Sequence, residues 1–128
     1  MQNMSYETSK QIIDGESQKQ LEDNKNRGRD NVPPSYIEIE ELDISNVAGI
    51  TTFAPLKEYT KLKKLTFSGG VTIPTFEGIE ENKSIEYIFF WYKTKVKKSV
   101  EALSGLTSLK QLHIRDLNQK LTAKILVP

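Results

Sequence analysis

Apolar residues between Pro33 and Leu112 recur at three-residue steps, and the whole pattern returns along the chain. The first copy is Tyr36-x-x-Ile39-x-x-Leu42-x-Ile44, and the second is Phe53-x-x-Leu56-x-x-Tyr59-x-x-Leu62-x-x-Leu65-x-Phe67. The third runs Phe76, Ile79, Asn82, Ile85, Ile88, Phe90, and the fourth runs Val100, Leu103, Leu106, Leu109, Leu112, Ile114. Ile39, Leu62, Ile85 and Leu109 therefore stand 23, 23 and 24 residues apart. Each copy closes on an apolar pair spaced by two, the alternation of a strand with one buried face. No copy can bury its apolar side alone, so the copies must stack. The pattern predicts an α/β fold with a short parallel sheet of about four strands. The stretches Phe53–Thr60, Phe76–Lys83 and Val100–Ser108 are expected to cross back as short helical or extended turns.

The strand segments Leu62-Lys-Lys-Leu65-Thr-Phe67 and Leu109-Lys-Gln-Leu112-His-Ile114 resemble the L-x-x-L-x-L of leucine-rich repeats. The lead-in Leu103-Ser-Gly-Leu106-Thr-Ser-Leu109 is similar to that of the short bacterial internalin-type repeats. The period falls inside the range of roughly 20–29 residues found in that family. About residues 33–117 are covered. The resemblance implies a solenoid with irregular or short helical convex connections, and in part it implies a protein-binding role. One family feature departs. The asparagine three residues after the last strand apolar is replaced by Val47, Gly70, Lys93 and Leu117, with Asn46 and Asn118 one position to either side. Irregular turns are the expected result.

Residues 1–30 differ in character from the repeat domain at 31–128. They carry many charges and few apolar residues beyond Met4, Tyr6, Ile12, Ile13 and Leu21. Two alternatives stand: a mobile tail or loosely attached helix, and a cap over the first repeat, whose core a solenoid otherwise exposes. Ser9 would cap a short helix with Ile12 and Ile13 on its buried side, and Gly15 would weaken it. At the other end the stretch from Leu121 to Pro128 has room for part of a fifth strand, with Pro128 suited to an edge.

Strand three carries the candidate chemistry. If Ile85, Ile88 and Phe90 point inward, alternation turns Tyr87, Phe89 and Trp91 to the concave outer face. Their outward neighbours are Lys64, Thr66 and Ser68 on strand two and Gln111, His113 and Arg115 on strand four, with Glu41, Asp43 and Ser45 on strand one. An aromatic stripe bordered by polar and charged residues has the make-up of a protein interface. The expected partner-binding set is Tyr87, Phe89, Trp91 and Tyr92, flanked by Lys64, Thr66, His113, Arg115, Lys93 and Lys95. The N-terminal segment could instead cover the stripe. A slip of one residue would turn Ile88 and Phe90 outward, which still leaves apolar surface outside.

Composition narrows the function. With 18 Lys and Arg against 17 Asp and Glu the net charge is +1, yet acids dominate from Ile37 to Thr60 and lysines from Lys83 onward. The run Lys93-Thr-Lys95-Val-Lys97-Lys98 beside Trp91 and Tyr92 would suit phosphate contacts and base stacking, and the near-neutral total argues against general nucleic-acid affinity. An acidic protein partner uses the same lysines. The absence of cysteine excludes disulfides and thiol chemistry and fits a reducing compartment. No apolar run reaches the roughly 18–20 residues a bilayer needs, and the N-terminus lacks the apolar core of a secretion signal, so cytoplasmic residence is expected. His113 stands alone without zinc spacing. Ser68-Gly69-Gly70 lacks the lysine of a phosphate loop and predicts a tight turn, while Glu38, Glu40 and Glu41 alternate faces as a solvated edge. Neither an enzyme nor a metal or other cofactor is expected. The function expected is a protein-binding module that neutralises its partner, as an immunity protein inhibits a toxin, with homodimerisation through the stripe as one mode. The alternatives are a nucleic-acid binder using the lysine loop and a structural or adaptor fragment of a longer repeat protein.

Overall fold

Side chains 23 residues apart can face one another in neighbouring strands only when those strands run parallel and in register. The computed structural model, which describes residues 4–30, 32–45, 49–68, 72–73, 75–90, 95–96 and 100–113, has that arrangement. One helix, α1 (Met4–Asn26), precedes the strands β1 (Glu41–Ile44), β2 (Lys64–Phe67), β3 (Thr72–Ile73), β4 (Tyr87–Phe90), β5 (Lys95–Val96) and β6 (Gln111–His113). The main sheet is parallel in the order β1-β2-β4-β6. Leu42 lies opposite Leu65, Leu65 opposite Ile88, and Ile88 opposite Leu112. β3 and β5 form a second parallel pair, Thr72 opposite Lys95 and Ile73 opposite Val96. The lysine run expected as a loop thus holds a short ladder, because the same 23-residue step continues past the main strands.

The return connections are 3-10 turns at Ala54–Glu58, Ile79–Glu81 and Val100–Gly105, with a fourth at Tyr36–Glu38 before β1. A 3-10 helix has about three residues per turn, so apolar residues at three-residue steps line one side of it. Phe53, Leu56 and Tyr59 are all buried for that reason, and so are Phe76, Ile79 and Asn82. Pro55 sits in the first turn of its segment, where no amide hydrogen is needed. Between these turns and the sheet, equivalent phenylalanines interleave. Phe67 stacks on Phe90 at 5.2 Å, and Phe53 meets Phe76 at 5.7 Å. Phe67 and Phe76 join the two rows edge-on at 5.8 Å.

Helix α1 is longer than the short helix expected from Ser9. Nine of its 23 residues are Gln, Lys or Glu, strong helix formers, and Glu7 and Lys25 lie at the ends where the helix dipole favours them. Gly28, at φ +68, ends it, with its amide bonded to Lys25 O at 3.1 Å and that of Arg29 to Asn24 O at 3.1 Å. Ser9 is not a cap. It is buried inside the helix, where its hydroxyl accepts from Thr51 N at 2.9 Å and Thr52 N at 3.2 Å. Ile13 is fully buried, Leu21 nearly so, and Ile12 packs so close to Gly49 that a Cβ there would come within 2.8 Å of Ile12 Cδ1.

The same helix closes the free edge of β1. Asp43 N donates to Gln20 Oε1 at 2.7 Å, and Gln20 Nε2 donates to Glu41 O. One helical turn back, Glu16 Oε1 accepts from Ser45 N at 2.8 Å. Four residues along a helix advance about 6 Å, and two residues along a strand about 6.6 Å. Side chains at 16 and 20 therefore match the edge amides at 45 and 43, and act as a surrogate strand.

Candidate interaction face

Alternation in β4 buries Ile88 and Phe90 and leaves Tyr87 and Phe89 on the outward face, both half-buried. The register has not slipped. Lys64 lies opposite Tyr87 and Thr66 opposite Phe89, so the expected flank on β2 is in place. The two flanking residues differ in cover. Thr66 is only 7% exposed and forms floor, whereas Lys64 lays its ammonium 4.9 Å from the Phe89 ring centroid, a cation–π distance. Tyr87 and Phe89, expected to be exposed, are thus half-buried, with Lys64 shielding Phe89. On β6, Gln111 stands opposite Tyr87 and His113 opposite Phe89. Trp91, Tyr92, Lys93 and Arg115 lie outside the described residues, as do the Gly69-Gly70 turn, Val47, Leu117, and the stretch from Leu121 to Pro128. Lys95 is placed by its backbone in β5.

Among the described residues, helix α1 packs chiefly away from Tyr87 and Phe89. It packs on β1 and on the 3-10 turns at Tyr36–Glu38 and Ala54–Glu58. Where it rises beside β1 it walls a polar groove of about 200 Å³, lined by Glu16, Lys19, Gln20, Asp23, Asp43, Ser45 and Ser68. Among the described residues no group of three or more His, Cys, Asp or Glu is arranged to hold a metal ion. No helix there is long and apolar enough to cross a membrane.

No family model, curated protein or solved structure matches the chain. Function must therefore follow from the chemistry of its surfaces.

A second constellation, which the sequence pattern hides, joins α1 to the repeats. Asp14 is its centre. Its Oδ1 accepts from Tyr59 OH at 2.6 Å, and its Oδ2 from Lys10 Nζ at 2.7 Å and Tyr36 OH at 3.4 Å. Ser17 Oγ lies 2.9 Å from the same Tyr59 hydroxyl. Burial pushes the Tyr59 phenol well above its ordinary pKa, and its bond to the Asp14 carboxylate adds to the rise against an opposing contribution from Ser17. The bond to Asp14 likewise raises Lys10, outweighing its desolvation. Tyr6 is raised by burial and by its 3.0 Å bond to Glu58. These groups hold their protons far above neutrality. Because Tyr59 and Tyr36 both donate to Asp14 of α1, the cluster ties the helix to the 3-10 turns as a clamp.

Tyr36, Tyr59, Asn82 and Leu106 are equivalent positions, each three residues before Ile39, Leu62, Ile85 and Leu109. The first two send their hydroxyls to Asp14. Asn82 turns to its neighbours instead, donating to Leu56 O at 2.8 Å and Tyr59 O at 3.2 Å and accepting from Ser84 N and Ile85 N. The detectable signal is a polar-tipped residue recurring at one apolar position of a repeat.

Proposed function

We propose that the chain is a leucine-rich-repeat solenoid that binds another protein through the outward face of its sheet and neutralises it, as an immunity protein blocks a toxin. The observation that carries this reading is the position of Tyr87 and Phe89. They stand outward on β4, an interior strand of the sheet order, with Lys64 over one ring and β2 and β6 as the neighbouring strands. Aromatic side chains at the centre of a surface, ringed by polar ones, are where interface energy concentrates. In this proposal Trp91 and Tyr92 extend the stripe. His113, Arg115, Lys93 and Lys95 speed association with the acidic part of a partner. The protein is a binder without catalysis or cofactor, and a cysteine-free composition suits the cytoplasm.

The test is affinity capture from the source cells with mass spectrometry, run with the natural chain, with Phe89→Ala and with the exposed-site control Lys83→Ala. A protein retained by the natural chain and by the control, and lost with Phe89→Ala, supports the reading. Retention of nucleic acid that salt releases, with no protein dependent on Phe89, would overturn it.

A further inference from the structure

The outward face is chemically graded from one strand to the next, and the gradient says what kind of segment fits it. Glu41 and Asp43 are exposed on β1, Tyr87 and Phe89 stand half-buried on β4, and β2 between them offers buried Thr66 and half-buried Lys64. The Lys64 ammonium is drawn toward Phe89, at 4.9 Å, and so away from the acidic column. Beyond Asp43 the groove against α1 adds Glu16 and Asp23 to the acids, opposed by Lys19. Glu16 is held by Ser45, whereas among the described residues no ion pair reaches Asp23 or Asp43.

Size decides the class of occupant. The groove, at about 200 Å³, falls short of the roughly 300–1,000 Å³ of small-molecule sites, and every residue that lines it is polar or charged in type. Its carboxylates, from Glu16, Asp23 and Asp43, outnumber the one cation, Lys19. From β1 to β4 is two strand spacings, about 10 Å in all. An extended segment spans that distance in three residues, and a helix in two turns.

This inference rests on the protein-binding reading above. We infer that the partner segment crossing this face carries an apolar side chain on Tyr87 and Phe89 and, about 10 Å away, a Lys or Arg directed at Asp43 and Asp23. The acidic column orients the segment, and the aromatic pair anchors it. A segment laid the other way would set its cation beside Lys64 and its apolar group among carboxylates, so the gradient also fixes direction.

The probe is a phage-displayed library of random dodecapeptides selected on the immobilised full chain. Enriched peptides are expected to pair Lys or Arg with an aromatic or aliphatic residue at a spacing of about three or about seven. Binding of a synthetic version is then titrated against Asp23→Asn/Asp43→Asn and against Phe89→Ala. The double carboxamide variant should weaken binding roughly tenfold at low salt and little at high salt, because charge pairs on an open face are screened. Phe89→Ala should weaken it roughly tenfold or more at either salt. Peptides that need Phe89 yet ignore Asp23 and Asp43 would overturn the inference and leave the binding reading intact. Peptides indifferent to Tyr87 and Phe89 would overturn both. A library that enriches nothing also overturns the inference, and the capture experiment then judges the reading alone.

Discussion

Two joints hold this molecule together, and they use opposite chemistry for the same task of covering an exposed side. Between repeats the joint is apolar. Leu42, Leu65 and Ile88 lie in one row, and Phe53, Phe67, Phe76 and Phe90 interleave behind it. Between α1 and the first repeats the joint is mainly polar. Ser9, Asp14, Glu16, Ser17 and Gln20 reach backbone or phenol groups, with Ile13 and Leu21 as the buried apolar anchors. An apolar joint gains from area and tolerates small shifts, whereas a polar one gains only at hydrogen-bond geometry and leaves unsatisfied groups when disturbed. The repeats can therefore stack through shape, but α1 has to arrive in a single register.

The largest expected effect lies in the apolar joint. Leu65→Ala should cost about 2–5 kcal/mol, as truncation of a fully buried side chain does, while Lys64→Ala, one residue away and outward, should cost under about 1 kcal/mol. Equal shifts of the two urea midpoints would refute the inward and outward assignment. In the polar joint the double variant Glu16→Ala/Gln20→Ala should cost about 1–2 kcal/mol, since the lost bonds lie at an exposed edge. Its signature is local: hydrogen exchange at the amides of Asp43 and Ser45 should accelerate far more than at β4. Uniform acceleration across the sheet would mean that the edge is not closed by these side chains.

Tyr59→Phe should cost about 1–2 kcal/mol and change the response to alkali. Tyr59 keeps its proton above the ordinary tyrosine value of 10.0, and Lys10 above the ordinary lysine value of 10.5. Above about pH 10 the unfolded chain releases protons that the folded chain retains. The stabilisation is complete below that pH and declines as pH rises toward the folded values. Denaturant melts at about pH 8 and about pH 11 should show a smaller loss for Tyr59→Phe than for the natural chain; an identical loss would place the alkaline sensitivity elsewhere. The smallest effect is a gain. Gly15 is exposed within α1 with open space around its Cβ position, so Gly15→Ala should raise stability by about 0.5–1 kcal/mol, measured by thermal melting. A loss would mean that α1 bends or is covered at that point.

Strand register is legible in the sequence because it depends on a period, and a period of 23 leaves one pairing that keeps Leu42, Leu65 and Ile88 in a row. The 3-10 turns follow from three-residue steps such as Phe53, Leu56 and Tyr59. The buried side of α1 is legible at Ile12 and Ile13, but the register in which it docks is not, because that is set by serine, aspartate, glutamate and glutamine, residue types equally at home on a solvated helix. Gly49 gives a trace of it only after Ile12 is seen against it. The position shared by Tyr36, Tyr59 and Asn82 reads as apolar by spacing, yet its polar tips make the clamp and the stitch between repeats. On the candidate face, alternation is enough to turn Tyr87 and Phe89 outward. The cover that Lys64 gives Phe89 depends on where the lysine lays its chain, which no pattern of residue types encodes.

Ile88 and Phe89 are adjacent in sequence and assigned opposite duties, so the binding isotherm of Phe89→Ala against the captured protein tests the functional claim most directly. The account predicts affinity weakened by about 2 kcal/mol or more, roughly thirtyfold, with the unfolding free energy within about 1 kcal/mol of that of the natural chain. Unchanged affinity in a folded Phe89→Ala protein would contradict it.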